Sequence, residues 1–174
     1  MPPYLFTSDR LVFREWTDDD IENAWLLWGD PEVTRLIDAR GQLTREQVRA
    51  RLDEEVASGR EHGVQYWALF LRETDELVGC CGLSVKDREQ NIYELGFLIR
   101  SCHWRKGYAR EAARRVIEHA FETLGASALF AGHNPANDPS RSLLATLGFV
   151  YTQDELYEPT GLMHPSYILR PSRQ

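Results

Sequence analysis

The chain has little cysteine, and none of it is spaced to share a metal. Its three cysteines, Cys80, Cys81 and Cys102, include two neighbours, and no CxxC spacing occurs in the 174 residues. A sparse, odd set reads as reduced thiols in a cytosolic protein rather than as a disulfide frame. No apolar run reaches the roughly 18 residues that a membrane helix needs, and MPPYLFTSDR lacks a basic stretch ahead of an apolar one. A membrane partner and a secretory leader are therefore not expected, and the expected compartment is the cytoplasm. Positive charge is also short: 20 Lys and Arg stand against 27 Asp and Glu, a net charge of -7. Phosphate backbones need a basic surface, so nucleic acid is not an expected partner, whereas a cationic substrate suits the balance. Neither GxxxxGK[ST] nor GxGxxG is present, which sets aside a nucleoside-triphosphate loop and a dinucleotide fold.

What remains is the composition of one globular domain, 43% hydrophobic and 27% charged, with no linker, repeat or low-complexity segment to divide residues 1–174. DRLVFREW (9–16) alternates as a strand. TDDDIENAWLLWGD then reads as a helix with Thr17 as N-cap and Asp18, Asp19 and Asp20 as a solvated, dipole-matched first turn. TREQVRARLDEEVASG reads as a second helix, with a capping box from Thr44 to Gln47 and a stop at Gly59. Strands are expected at 64–72, 77–85 and 91–100, joined by short polar connections as an antiparallel meander. A helix follows in which Ala109, Ala112, Ala113, Val116, Ile117, Ala120, Phe121 and Leu124 form one apolar stripe ending at Gly125. ALFAGH (128–133) is a strand, Asp138 and Pro139 read as N-cap and N1 of a helix closed by Gly148, and strands near 149–156 and 165–170 finish the chain. This order implies an α/β (α+β) domain with a mixed sheet and helices packed on it.

The helix after residue 107 has no Ser, Thr, Asp or Asn to cap its first N–H groups; its start is Arg105-Lys106-Gly107. Free N–H groups, a helix dipole, a glycine and nearby cations make an anion site, and N–H groups facing water are the plainer alternative. In the strand before it, IYELGFLIR, Tyr93, Leu95, Phe97 and Ile99 share one face, and Ile92, Glu94, Gly96 and Leu98 the other. A glycine inside a strand marks a bulge or a close approach by a ligand or another backbone. A carboxylate beside it is either a working group or one half of a pair with a nearby arginine.

YELGFLIRSCHWRKGYAREA followed by NPANDPSRSLLATLGF resembles the GNAT acyltransferase superfamily, and most of all its branch of ribosomal-protein N-terminal (Ser/Ala) acetyltransferases. The superfamily motif Q/R-x-x-G-x-G/A stands here as Trp104-Arg105-Lys106-Gly107-Tyr108-Ala109, with Trp in first place as is common in that branch. TSDRLVFREWTDDD and WGDPEV extend the similarity over nearly the whole chain. The resemblance implies a mostly antiparallel sheet with splayed central strands and acetyl-coenzyme A as cosubstrate. It places the pyrophosphate on the N–H groups of Arg105, Lys106, Gly107, Tyr108, Ala109 and Arg110. The pantetheine arm would run along the backbone of Phe97, Leu98 and Ile99, with Asn137 bonding the arm and Ser140 near the sulfur.

For the chemistry, Glu94 is the candidate general base for the incoming amine, directly or through water. Many superfamily members use a tyrosine as acid near the sulfur, where this chain offers Ser140. That serine either bonds the thiolate or serves only the helix start. Cys80 and Cys81 read as core, Cys102 and His103 lack a second pair for zinc so no metal is expected, and His133 reads as a surface or packing residue. The expected activity is N-acetyl transfer to a primary amine, most of all the α-amine of a protein or peptide. A small-molecule amine acetyltransferase and a non-catalytic acyl-coenzyme A-binding domain are the alternatives, and the sequence leaves a homodimer open.

Overall fold

In the computed structural model, which describes residues 3–172, eight strands form one sheet in the order β1-β2-β3-β4-β5-β6-β8-β7. The strands are β1 (Phe6–Thr7), β2 (Leu11–Arg14), β3 (Tyr66–Leu71), β4 (Leu77–Asp87), β5 (Ile92–Ile99), β6 (Ala128–Gly132), β7 (Val150–Tyr157) and β8 (Leu162–Leu169). The helices are α1 (Ile21–Trp28), α2 (Pro31–Thr34), α3 (Arg45–His62), α4 (Tyr108–Glu118) and α5 (Asp138–Thr146). From β1 to β5 every pairing is antiparallel, through short turns except between β2 and β3, where α1 to α3 intervene, and β7 and β8 form a hairpin. Only β5 and β6 run parallel, because α4 carries the chain across the sheet between them. The first and last residues of the expected 1–174 domain lie outside the described residues.

Both faces of the sheet are covered. Leu11, Phe13, Leu69, Leu83, Leu95 and their neighbours pack against Ala112, Ala113 and Val116 of α4 and Leu144 of α5. On the other face, Val12, Ala68, Phe70 and Cys80 meet Ala24, Leu27 and Trp28 of α1 and Val48, Leu52 and Val56 of α3. The two-residue alternation of β5 is therefore real: Leu95 and Ile99 enter the first cluster, and Leu98 packs against the second. Cys80 and Cys81, on opposite sides, are both wholly buried, and burial drives both thiols up, far from reactivity at neutral pH.

Several helix ends differ from expectation for local reasons. Thr17 does not cap α1. Its N–H and hydroxyl donate to Asp20 Oδ2 at 2.9 Å, and Asp20 itself is 6% exposed, held by a two-point ion pair with Arg14 at 2.7 Å. Asp20 is thus a buried anchor rather than part of a solvated run. The capping box of Thr44 and Gln47 is present, but α3 runs past Gly59 to Gly63, whose φ of 70° supplies the left-handed stop. A Cβ on Gly59 would lie 2.5 Å from Gln65 Nε2, so that glycine serves packing. The cap of α5 is Asn137, which accepts from Ser140 N–H at 3.1 Å, with Asp138 the first helical residue. The tail of α4 widens into a π-helical turn over His119–Thr123 before Gly125 turns the chain at φ 62°. Strand β1 and the single turn α2, begun by Asp30 and Pro31, were not read from the sequence.

Candidate active site

β5 and β6 are paired at three positions only, Ile92 with Ala128, Tyr93 with Leu129 and Glu94 with Phe130. Beyond Glu94 the two strands part, and a cleft of about 220 Å³ opens between Leu95–Leu98 on one side and Ala131–Asn134, Asn137 and Ser140 on the other. Arg100 N–H bonds the Val78 carbonyl of β4 at 2.9 Å. By the alternation of an antiparallel ladder, the backbone groups of Leu98 turn toward β4, and those of Phe97 and Ile99 toward the gap. The Ile99 carbonyl is already taken by the Trp104 indole N–H at 2.8 Å, which ties the end of β5 to the following loop. The gap leaves the edge of β5 with unspent backbone donors and acceptors, a template for an extended ligand.

The loop that follows β5 and opens α4 is built for an anion. Arg105 and Gly107 both hold left-handed φ values, 61° and 81°, and Gly107 is the N-cap of α4 with no side-chain cap. The N–H groups of residues 105–110 find no acceptor among the described residues. Successive N–H groups of this kind, at the positive end of a helix, form an anion cradle. Its support was not read from the sequence. Arg10 donates to the Lys106 carbonyl at 2.9 Å, lies 4.5 Å from the Tyr108 ring centroid, and pairs with Glu111 at 2.7 Å. Glu111 also accepts from the Ser8 hydroxyl and the Arg10 N–H, so one carboxylate in the first turn of α4 clamps the β1–β2 corner under the loop. Arg105, Lys106 and Arg110 stay on the outside and keep the mouth positive.

Glu94 lies on the cleft wall where the strands part. Burial pushes its carboxyl pKa up, Lys86 pulls it down, and Glu155 pushes it up again. Lys86 and Glu155 pair at 3.3 Å, and Lys86 Nζ stands 3.9 Å over the Phe130 ring, so Glu94 has no ion-pair partner among the described residues. The reading of Glu94 as half of an arginine pair is thus not what the fold builds. Gly96 beside it makes room for a side chain: a Cβ there would lie 2.5 Å from the Tyr66 ring. The Tyr66 hydroxyl, pushed far up by burial and by Glu94, stays protonated and meets Ser84 Oγ at 3.4 Å. His133 is buried, with Nδ1 on the Asn134 carbonyl at 2.7 Å and Nε2 on the Tyr167 hydroxyl at 3.0 Å. A carbonyl only accepts, so Nδ1 carries a proton. Ser140 faces the cleft with its N–H spent on Asn137.

The acetyltransferase (GNAT) domain family matches residues 10–150. This chain belongs to the GNAT acetyltransferase family. The GNAT relatives include the uncharacterised N-acetyltransferase p20 of Bacillus licheniformis, 30% identical over 82% of this chain and 80% of its own length. The uncharacterised N-acetyltransferase YoaA of Bacillus subtilis (strain 168) is also 30% identical, over 83% of this chain and 82% of its own. Among solved structures, a GNAT-family acetyltransferase from Bacillus anthracis superposes with a TM-score of 0.79 at 21% identity, covering 94% of this chain and 96% of that one. The ribosomal-protein-S5-alanine acetyltransferase from Vibrio fischeri superposes with a TM-score of 0.73 at 19% identity, each chain being covered to 95%. These likenesses establish the fold, and with it the splayed sheet as a shared GNAT framework. The protein is an N-acetyltransferase, and enzymes of the GNAT family take acetyl-coenzyme A as cosubstrate.

A second cavity of about 600 Å³ adjoins the first and shares Ile37, Arg51 and Tyr157 with it. Its walls carry Trp28 and Tyr157 together with Glu46, Glu54 and Asp38, the last paired with Arg40 of the same wall at 2.7 Å. Only the helical spacing of Val48, Arg51, Leu52 and Glu55 could have flagged Arg51 and Glu55, an Arg–Glu pair set four apart on the buried stripe of α3. Elsewhere, Glu76 joins Cys102 and His103 with ligand atoms within 4.8 Å, but Glu76 already bonds His103 Nε2 at 3.1 Å and lies 3.6 Å from Arg100. No helix among the described residues is long and apolar enough to cross a membrane.

Proposed function

We propose that the protein acetylates the N-terminal α-amine of a peptide or protein, and that Glu94 receives the amine's proton. The observation that carries this reading is a half-buried carboxylate with a raised pKa, set where β5 and β6 part and facing a cleft that adjoins an aromatic-walled cavity carrying Glu46 and Glu54. The residues fit the cosubstrate. The N–H groups of Arg105, Lys106, Gly107, Tyr108, Ala109 and Arg110 would hold its diphosphate. Phe97 and Ile99 would offer backbone to its arm, Leu98 would wall the cleft, and Asn137 Nδ2 would remain free to donate beside Ser140. Bound acetyl-coenzyme A supplies the activated acyl carbonyl.

The residues of the chain do the rest. Holding the amine in line with the thioester carbonyl supplies most of the rate. The N–C bond forms as the C–S bond breaks; the amine proton passes to Glu94, and coenzyme A leaves as thiolate or thiol. Phe97 N–H, turned into the gap, is placed to receive negative charge on the carbonyl oxygen. Ser140 is suited to bonding the departing sulfur rather than to acting as a strict acid. An α-amine, with a pKa of about 8 against about 10.4 for a lysine side chain, is within reach of a carboxylate base. A small polycationic amine is the second reading, because Glu46 and Glu54 would suit it too.

Purified protein tested for coenzyme A release against peptides beginning with Ser, Ala or Thr and carrying basic residues should turn over. Mass spectrometry should place the acetyl group on the N-terminus. Acetylation of polyamines or aminoglycosides with no peptide product would overturn the peptide reading. Cosubstrate binding with no turnover on any amine would overturn the catalytic role of Glu94 as well.

A further inference from the structure

Arg51 has no part in the site as described so far, yet it lines both the Glu94 cleft and the second cavity. Its Nη2 lies 3.1 Å from Glu55 Oε1, and Glu55 Oε2 accepts the Tyr66 N–H at 2.8 Å. The guanidinium carbon stands 5.5 Å from the Trp28 ring centroid and 5.7 Å from that of Tyr66. Arg51 Nε is buried and has no hydrogen-bond partner among the described residues, while 32% of the side chain stays open. Burial works against the charge of Arg51, and Glu55, helped by the surrounding Tyr66, Cys80 and Tyr157, turns the balance back in its favour. The side chain is therefore a cation already balanced by a carboxylate, with donors left unspent. Such a group gains more from a neutral oxygen than from a second anion, whose desolvation it cannot offset.

Tyr66 connects this corner to Glu94, since it lines the same cleft and its hydroxyl feels both groups. Past Arg51 the second cavity runs between Trp28 and Tyr157, and the 35–43 segment is tied to the β7–β8 turn by Ala39 N–H to the Pro159 carbonyl at 2.9 Å. An amine at Glu94 whose chain continues into that cavity would pass Arg51, which lines both spaces.

We infer that Arg51 sets acceptor specificity by donating to the carbonyl oxygen on the carbon that bears the reacting amine. This rests on the acetyltransferase reading with Glu94 at the amine. It would make the enzyme select α-amino amides, as peptide N-termini are, over alkylamines of the same shape.

Alaninamide and isopropylamine differ only in that carboxamide, and their kcat/KM ratio, measured in parent and variant, reads the contact. Intrinsic amine basicity cancels between the two proteins. In Arg51→Met the ratio should fall about tenfold, the worth of one charge-assisted hydrogen bond. Because Arg51→Met strands Glu55, the double change Arg51→Met with Glu55→Gln removes both charges and should show the same fall. Arg51→Lys should restore part of the preference. A ratio that survives these changes in folded protein would overturn the assignment. If neither amine reacts, NMR titration with N-acetylalaninamide and N-isopropylacetamide tests the same contact without turnover. Equal binding of the two by the parent would overturn it as well, whereas selective binding without turnover would fault the Glu94 reading alone.

Discussion

At the scale of single residues, Glu94 and Asp20 show one environment used in opposite directions. Burial raises the Glu94 pKa and nothing fully offsets it, so folding stabilises the acid form relative to the unfolded chain. A carboxylate of that kind contributes stability below its unfolded pKa, and this is lost as pH rises through the folded value. Glu94→Gln should therefore melt slightly higher than the parent at neutral pH while turnover falls by about 10²-fold. Its pH–rate profile should lose the acidic limb that protonation of Glu94 imposes, with acetyl-coenzyme A affinity unchanged. Matching profiles in parent and variant would assign the base elsewhere. Asp20 runs the other way. Burial alone would raise it, but the Arg14 pair, the Thr17 N–H and Asn23 outweigh that and bring it from 3.8 to about 2. Its contribution, roughly 2 kcal/mol, is present above pH 4 and lost as pH falls toward 2. In urea unfolding, Asp20→Asn should cost about that much at pH 7, with the gap to the parent closing by pH 2.

At the scale of elements, α5 has one residue with two duties. Asn137 Oδ1 caps the helix, and in the function proposed above its amide nitrogen would bond the cosubstrate. Asn137→Asp should keep the cap and stability but raise the KM for acetyl-coenzyme A. Asn137→Ala should lose about 1 kcal/mol of stability as well. Thermal melts set beside acetyl-coenzyme A kinetics separate the two. This helix also shows how far periodicity reaches. The meander, the capping box at Thr44 and the two faces of β5 were legible because each depends on a short repeat. The cap at Asn137 was not, because Asp138 offers the same oxygen one residue later and only the turn geometry chooses. Gly59 and Gly63 posed the same problem, settled by which one meets Gln65 and which one holds a left-handed φ. Gly107 and Glu94 stood out as exceptions to a pattern. Arg10 matters through a partner 101 residues away and Tyr66 through a cavity, and no local spacing points to them; Arg51 had only its place four residues before Glu55 on α3.

At the scale of the whole molecule, the net charge of -7 is a long-range attraction for a basic peptide. Raising salt from about 0.01 M to 0.15 M shortens the screening length from roughly 30 to 8 Å. The KM for a peptide with several lysines should rise over that range, while that for an uncharged-tail peptide of the same N-terminus should hardly move. Equal salt responses would remove electrostatic attraction from acceptor choice.

The same scale gives the three-residue seam between β5 and β6 another meaning. Five strands stand on one side of it and three on the other, so the sheet is two slabs joined by a short hinge. A ligand lying between the slabs acts as a missing strand, and its concentration becomes a term in folding. At 100 times its dissociation constant it would add about 2.7 kcal/mol to stability. Hydrogen exchange should then slow at Phe97, Ile99 and Gly132, on both banks of the gap, and hardly at all in β2. The protein in a cell rich in acetyl-coenzyme A would be a sturdier object than the same chain in a starved one.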